Sequence, residues 1–239
     1  MSEITKRPTR GSRLQMQIAV NRQPEELAAA IARVFPDLRD RGGVVEWRSP
    51  LEPEYEELHD TAFLRALGLE RLAPDLRRFW PVRGPVWDGL ALVHFPSGPP
   101  GVLLAGAKSS PEEFYSTGSR VKAAASRELI RAAIAETQRW LGVEVRPDRW
   151  IEPVRRQTRS SLYQLANCFA HLYFLREIAH VDTWLVHVLF VDDTTQIATS
   201  RVRWELALAR MEDELGLARA RVPWSGHVYL RARPRHELA

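Results

Sequence analysis

Two charged residues stand at the ends of neighbouring apolar segments. Asp88 opens the run in GPVWDGLALVHF, and Lys108 closes the run in GVLLAGAKSS. Val86 to Phe95 and Val102 to Ala107 are β-prone and separated by the turn-rich PSGPPG, so they are expected to pair as a hairpin. The start of the first strand then lies beside the end of the second, and Asp88 meets Lys108. A carboxylate at that point could hold Mg²⁺, a hard ion that prefers oxygen ligands, while the lysine orients an attacking water or stabilises charge on phosphate. Glu112 and Glu113 lie just past the second strand, within reach of the same place. The plainer alternatives are an edge acid paired with Arg83 or a backbone turn, and a strand-terminal lysine in water. Lys6, Lys108 and Lys122 are the only lysines, and arginine supplies the other 31 of 34 basic residues. A lysine is therefore unusual where charge alone would do.

The elements that must position this pair alternate between helix and strand, which gives an α/β (α+β) class built on a mixed sheet. Residues 1–13 read as a disordered basic arm, and 14–239 as one domain. Leu14 to Val20 alternates apolar and polar side chains and predicts a short strand. Pro24 opens a helix through Phe35, with Glu25 and Glu26 well placed against its N-terminal dipole. Gly42 to Trp47 predicts a strand. Tyr55, Leu58, Ala62, Phe63 and Leu67 fall at helical spacing, predicting a helix over Pro53 to Gly68 that carries Glu56 and Glu57. Helices are also expected over Ser119 to Leu141, Ser160 to Ile178 and Arg201 to Leu215. Trp184 to Val191 has the continuous apolar pattern of a strand buried on both faces, and His227 to Arg231 reads as a last edge strand.

With those elements in place, the chain resembles the PD-(D/E)XK nuclease superfamily, and within it a set of uncharacterised bacterial restriction-endonuclease-like proteins. The likeness rests on EWRSPL at Glu46 to Leu51, FWP and WDGLA around Asp88, LLAGAKS ending at Lys108, and YQLANCFAHLYFLRE from Tyr163 to Glu177. It implies a restriction-endonuclease-like mixed central sheet flanked by helices, and hydrolysis of nucleic-acid phosphodiesters with Mg²⁺ or Mn²⁺. Asp88 takes the role of the first metal-binding acid and Lys108 that of the lysine, with Glu57 as a helix acid and Glu113 as a substitute ligand. The acid expected two residues before the lysine is replaced by Gly106, which offers no ligand. Glycine is also a poor strand residue, so a substitution is implied. The expectation is therefore a nuclease-type protein inactive or impaired at Gly106. The alternative is a non-catalytic module that keeps the fold to bind nucleic acid or protein.

Gln164, Asn167 and His171 fall within about 60° on a helical wheel and form a polar stripe on an apolar helix. In some relatives of the superfamily a helix glutamine lies near the site, so Gln164 is a candidate. A buried polar network is the other reading. Arg120, Lys122, Arg127 and Arg131, with Arg155, Arg156 and Arg159, form basic clusters suited to phosphate contact or to a solvated face. Gly101 to Ser109 approaches a phosphate-binding loop, but Val-Leu-Leu-Ala is strand sequence and Ala107 displaces the lysine.

The 239 residues are 45% hydrophobic, carry a net charge of +4 and include one cysteine. Cys168 excludes an internal disulfide and a multi-cysteine zinc site. No stretch approaches the roughly 20 apolar residues of a membrane helix, and the N-terminus lacks the apolar run of a secretory signal. A cytoplasmic protein with no membrane partner is expected.

Overall fold

A computed structural model of the chain describes residues 10–153, 160–218, 220, 222 and 224–234. Helices α1 (Gly11–Arg22), α2 (Pro24–Val34) and α3 (Pro36–Asp40) lead into strand β1 (Val44–Ser49). A short strand β2 (Leu58–His59) runs directly into α4 (Asp60–Ala66), followed by α5 (Ala73–Phe79) and β3 (Val86–Trp87). Strands β4 (Gly89–His94) and β5 (Gly101–Lys108) form the expected hairpin. After α6 (Ala124–Trp140), α7 (Pro147–Ile151) and α8 (Tyr163–Tyr173) come β6 (Thr183–Val191), α9 (Arg201–Leu215) and β7 (Ser225–Arg231).

The main sheet has the order β1-β4-β5-β6-β7. β1, β4 and β5 form an antiparallel meander, whereas β6 and β7 run parallel to β5 and to each other. Alternate residues face opposite sides. Ala91, Leu103, Ala105, Ala107, Val186 and Val188 pack against α1, α2 and α3. Leu90, Val102, Leu104, Leu185 and Leu189 pack against α4 to α9. The mixed α/β class and the edge position of β7 follow the sequence reading.

Several expected elements differ. Leu14 to Val20 is helix, not strand, and Gly11 to Arg13 belong to the same helix rather than to an arm. The apolar alternation misleads because α1 is sunk on nearly every side. Met16, Ala19 and Val20 face the sheet, while Leu14 and Ile18 pack on Tyr55. The intervening Gln15 is buried too, bonded to the backbone of Arg233 at 2.9 and 2.8 Å. A helix buried all round shows no amphipathic signature.

The helix expected over Pro53 to Gly68 begins only at Asp60. Tyr55 and Asp60 take left-handed φ of 53° and 56°, which interrupts helical backbone, and Leu58–His59 pair with β3. Glu56 and Glu57 are therefore not on a helix. The helix expected from Ser119 starts five residues later, at Ala124, and the one from Ser160 begins at Tyr163 and ends in a π-helical turn at Phe174–Ile178.

α9 matches its expected bounds because both ends carry local stop signals. Ser200 caps the N-terminus by accepting from Arg203 N, and Gly216 ends the helix at φ 77°. Leu104, fully buried at the centre of the sheet, is expected to cost about 2–5 kcal/mol when replaced by alanine. Urea denaturation of Leu104→Ala checks this against Ser200→Ala, which removes a cap and is expected to cost about 1 kcal/mol.

Candidate functional site

Asp88 lies at a change of partner. Immediately before it, β3 pairs with β2 in the small sheet; immediately after it, β4 enters the main sheet. The last β4–β5 pair is Gly89 with Ala105, so the backbone ladder ends one residue short of Asp88. The Asp88 carboxylate continues it, with Oδ2 accepting from Ala107 N at 2.8 Å. The same oxygen lies 3.5 Å from Lys108 Nζ, which also donates to Ala107 O at 2.8 Å. Strand alternation puts Gly106 and Lys108 on the face turned towards α8. The expected meeting of Asp88, Gly106 and Lys108 on one concave surface is thus what the fold produces.

These residues line a cavity of about 730 Å³. Glu57, Glu113 and Gln164 also line it, with Arg83, Arg120, Tyr163, Asn167, Cys168 and His187. Glu57 arrives from the loop before β2. Burial, and then the nearby Asp88 charge, push its carboxyl above the usual range, although Arg13 Nε donates to it at 2.5 Å. Glu113 follows β5 in a short 3₁₀ turn, Pro111–Phe114. Ser12 Oγ donates to its Oε2 at 2.5 Å, and Ser109 N to its Oε1 at 3.1 Å. Glu112 points away to Arg203 at 3.3 Å.

The basic candidates divide. Arg120 borders the cavity and donates to Thr117 Oγ1, while Lys122 and Arg127 are exposed. Arg131 donates to Asp148 at 2.8 Å, which engages it within the fold. Arg155, Arg156 and Arg159 lie outside the described residues.

Of the polar stripe on α8, Gln164 is exposed at the cavity, whereas His171 belongs to the core. His171 Nδ1–H donates to Asn167 O at 2.9 Å, and the ring packs edge-on to Phe63, Trp80 and Trp87. Desolvation pushes the Cys168 thiol up to about 12, which favours its protonated form.

Comparison with protein-family models, curated proteins and solved structures returned no match. The site therefore stands on its geometry.

That geometry adds a residue that the sequence reading did not single out. In the sheet register Gly106 lies opposite His187, and His187 opposite His227. The two imidazoles have centroids 5.4 Å apart. A Cβ at position 106 would sit 3.2 Å from His187 Cδ2 and 4.0 Å from Asp88 Oδ2. Gly106 thus leaves room for the His187 ring beside it on the sheet face, which gives a packing reason for glycine besides loss of an acid. The signal was a lone histidine inside an otherwise apolar strand.

Among the described residues no group of three or more His, Cys, Asp or Glu side chains is placed to hold a metal ion. No helix among them is long and apolar enough to cross a membrane.

Three histidines are held neutral by burial. His171 and His227 are pushed down to about 4, and His187 well below the ordinary value of 6.5. Each must gain a proton when the chain unfolds in acid. The stability they confer is fully present above pH 6.5 and drains away as pH falls towards about 4. Melting temperatures measured across that range are expected to fall steeply, and less steeply for His227→Asn.

Proposed function

We propose that the cavity beside β4 and β5 is a nuclease-type site that engages nucleic-acid phosphodiesters, and that this chain is impaired in cleaving them. The observation that carries the reading is the contact of Asp88 with the strand end that bears Lys108, two residues past Gly106. A mixed sheet flanked by helices, with an acid at one strand start and a lysine at the next strand end, agrees with the resemblance to the PD-(D/E)XK superfamily. Lys108, Arg83 and Arg120 supply donors for phosphate oxygens at the cavity.

The residues present do not fit a divalent ion. Position 106 has no side chain, and Glu113 already accepts from Ser12 and Ser109. Glu57 is already bound by Arg13, and burial raises its carboxyl above the usual range. Mg²⁺ depends on charged oxygen ligands because it gives up water reluctantly. We therefore assign no metal-bound step to this chain. The same engagement of the acids supports a second reading, a module that binds nucleic acid or a protein without hydrolysis.

Hydrolysis of labelled DNA and RNA in Mg²⁺ or Mn²⁺ separates the two readings. It is measured for the unmodified chain, for Gly106→Glu, and for Gly106→Glu with Asp88→Asn. Asparagine keeps an acceptor for Ala107 N, so the double variant tests charge rather than folding. Gly106→Glu is expected to raise cleavage about 10- to 100-fold, the scale on which support of a metal site acts, and the double variant to lose the gain. His187 must shift by a few tenths of an ångström to admit the new Cβ, so the melting temperature is followed alongside. Strong metal-dependent cleavage by the unmodified chain would show that another acid serves. Inactivity of all three would favour the binding module.

A further inference from the structure

Two sets of polar groups on the cavity wall differ in how they are bonded. Asp88, Lys108, Glu57, Glu113 and Arg120 are charged and already have partners in the fold. Asn167 and His187 differ. They are 5% and 2% exposed, and Asn167 Oδ1 and His187 Nδ1 are shielded from water with no hydrogen-bond partner. Trp87 Nε1, also on the cavity wall, is in the same condition. Buried polar atoms are nearly always bonded, so unpaired ones gathered at one cavity mark a place where another molecule completes the bonding. All three side chains line the cavity, and turning the Asn167 amide or the His187 ring over about its last bond would exchange the edge that each presents.

Asparagine is neutral, and burial keeps His187 neutral as well. This end of the cavity therefore suits an uncharged surface rich in donors and acceptors rather than a phosphate. Its walls are aromatic, from Trp87, Phe114 and Tyr163. The volume, about 730 Å³, is in the range of small-molecule sites and far larger than a single phosphate or ion needs.

We propose that the cavity takes a whole nucleotide unit, its phosphate at Lys108, Arg83 and Arg120 and its base against Asn167 and His187 beside Tyr163. The phosphate half of this assignment rests on the nuclease-type reading; the base half rests on the unpaired groups. The unit can come from a free nucleoside monophosphate or from an unpaired nucleotide of a polymer, because both present the same base edge and phosphate.

Calorimetric titration of the full chain with inorganic phosphate, the four nucleoside 5′-monophosphates, and single-stranded and duplex oligonucleotides tests it. At least one monophosphate or the single strand is expected to bind roughly tenfold or more tightly than inorganic phosphate or duplex, respectively. Asn167→Ala and His187→Ala should remove that advantage, whereas Lys108→Ala should weaken phosphate and nucleotide alike. Should those variants fail to fold, the imidazole ¹⁵N resonances of His187 in the unmodified chain give the same answer. They are expected to shift with nucleotide and not with phosphate. Monophosphate binding with no oligonucleotide binding would keep this inference and sink the polymer reading. Oligonucleotide binding with no preference for single strand, monophosphates no better than phosphate, and no His187 shift would overturn the inference while leaving the polymer reading intact.

Discussion

The bond from Ala107 N to the Asp88 carboxylate holds the site together. At Asp88 the chain leaves a two-stranded sheet and enters a five-stranded one, so no backbone carbonyl of β4 continues the ladder past Gly89. A side-chain oxygen takes that place. A bond between an ionised carboxylate and a backbone amide is stronger than a neutral one, and it fixes the start of β4 against the end of β5. Lys108 is brought to the same oxygen as a consequence. The proposed site acid is thus also structural, and its replacement has to preserve an acceptor if only the charge is to be tested.

One residue further along this seam, Gly106 allows the neighbouring strand to contribute. With no Cβ in the way, the His187 ring lies against the glycine on one side and near His227 on the other. The result is a row running from Asp88 through Gly106 and His187 to His227, charged at one end and neutral at the other. Helix α8 closes over the row and adds Asn167. A cavity built in this way is poor in free carboxylates and rich in neutral hydrogen-bonding groups. That composition is the ground for proposing a nucleotide rather than a metal as the occupant.

How much of this was legible depended on whether the signal was local. The β4–β5 hairpin is written in two apolar runs around PSGPPG, and Asp88 and Lys108 followed from its ends. α9 carries its own cap and stop. By contrast, α1 carries an alternating, strand-like pattern because its polar residues, such as Gln15, are satisfied by a partner 218 residues away, at Arg233. Glu57 lines the cavity from the loop before β2 and not from the expected helix, because the β2–β3 pairing replaces that helix's first turns. His187 could not be placed without the register of β5 on β6, a parallel pairing whose strands are separated by three helices. Nothing local in the sequence sets that register.

The role proposed for the seam between Asp88 and Lys108 is to hold nucleic acid. Fluorescence anisotropy of labelled DNA and RNA at low salt tests it most directly, comparing the unmodified chain with Lys108→Ala across a salt series. The account predicts binding that falls steeply as salt rises and is weakened by removal of Lys108. An absence of binding to every nucleic acid at low salt, or binding unchanged in Lys108→Ala, would contradict it.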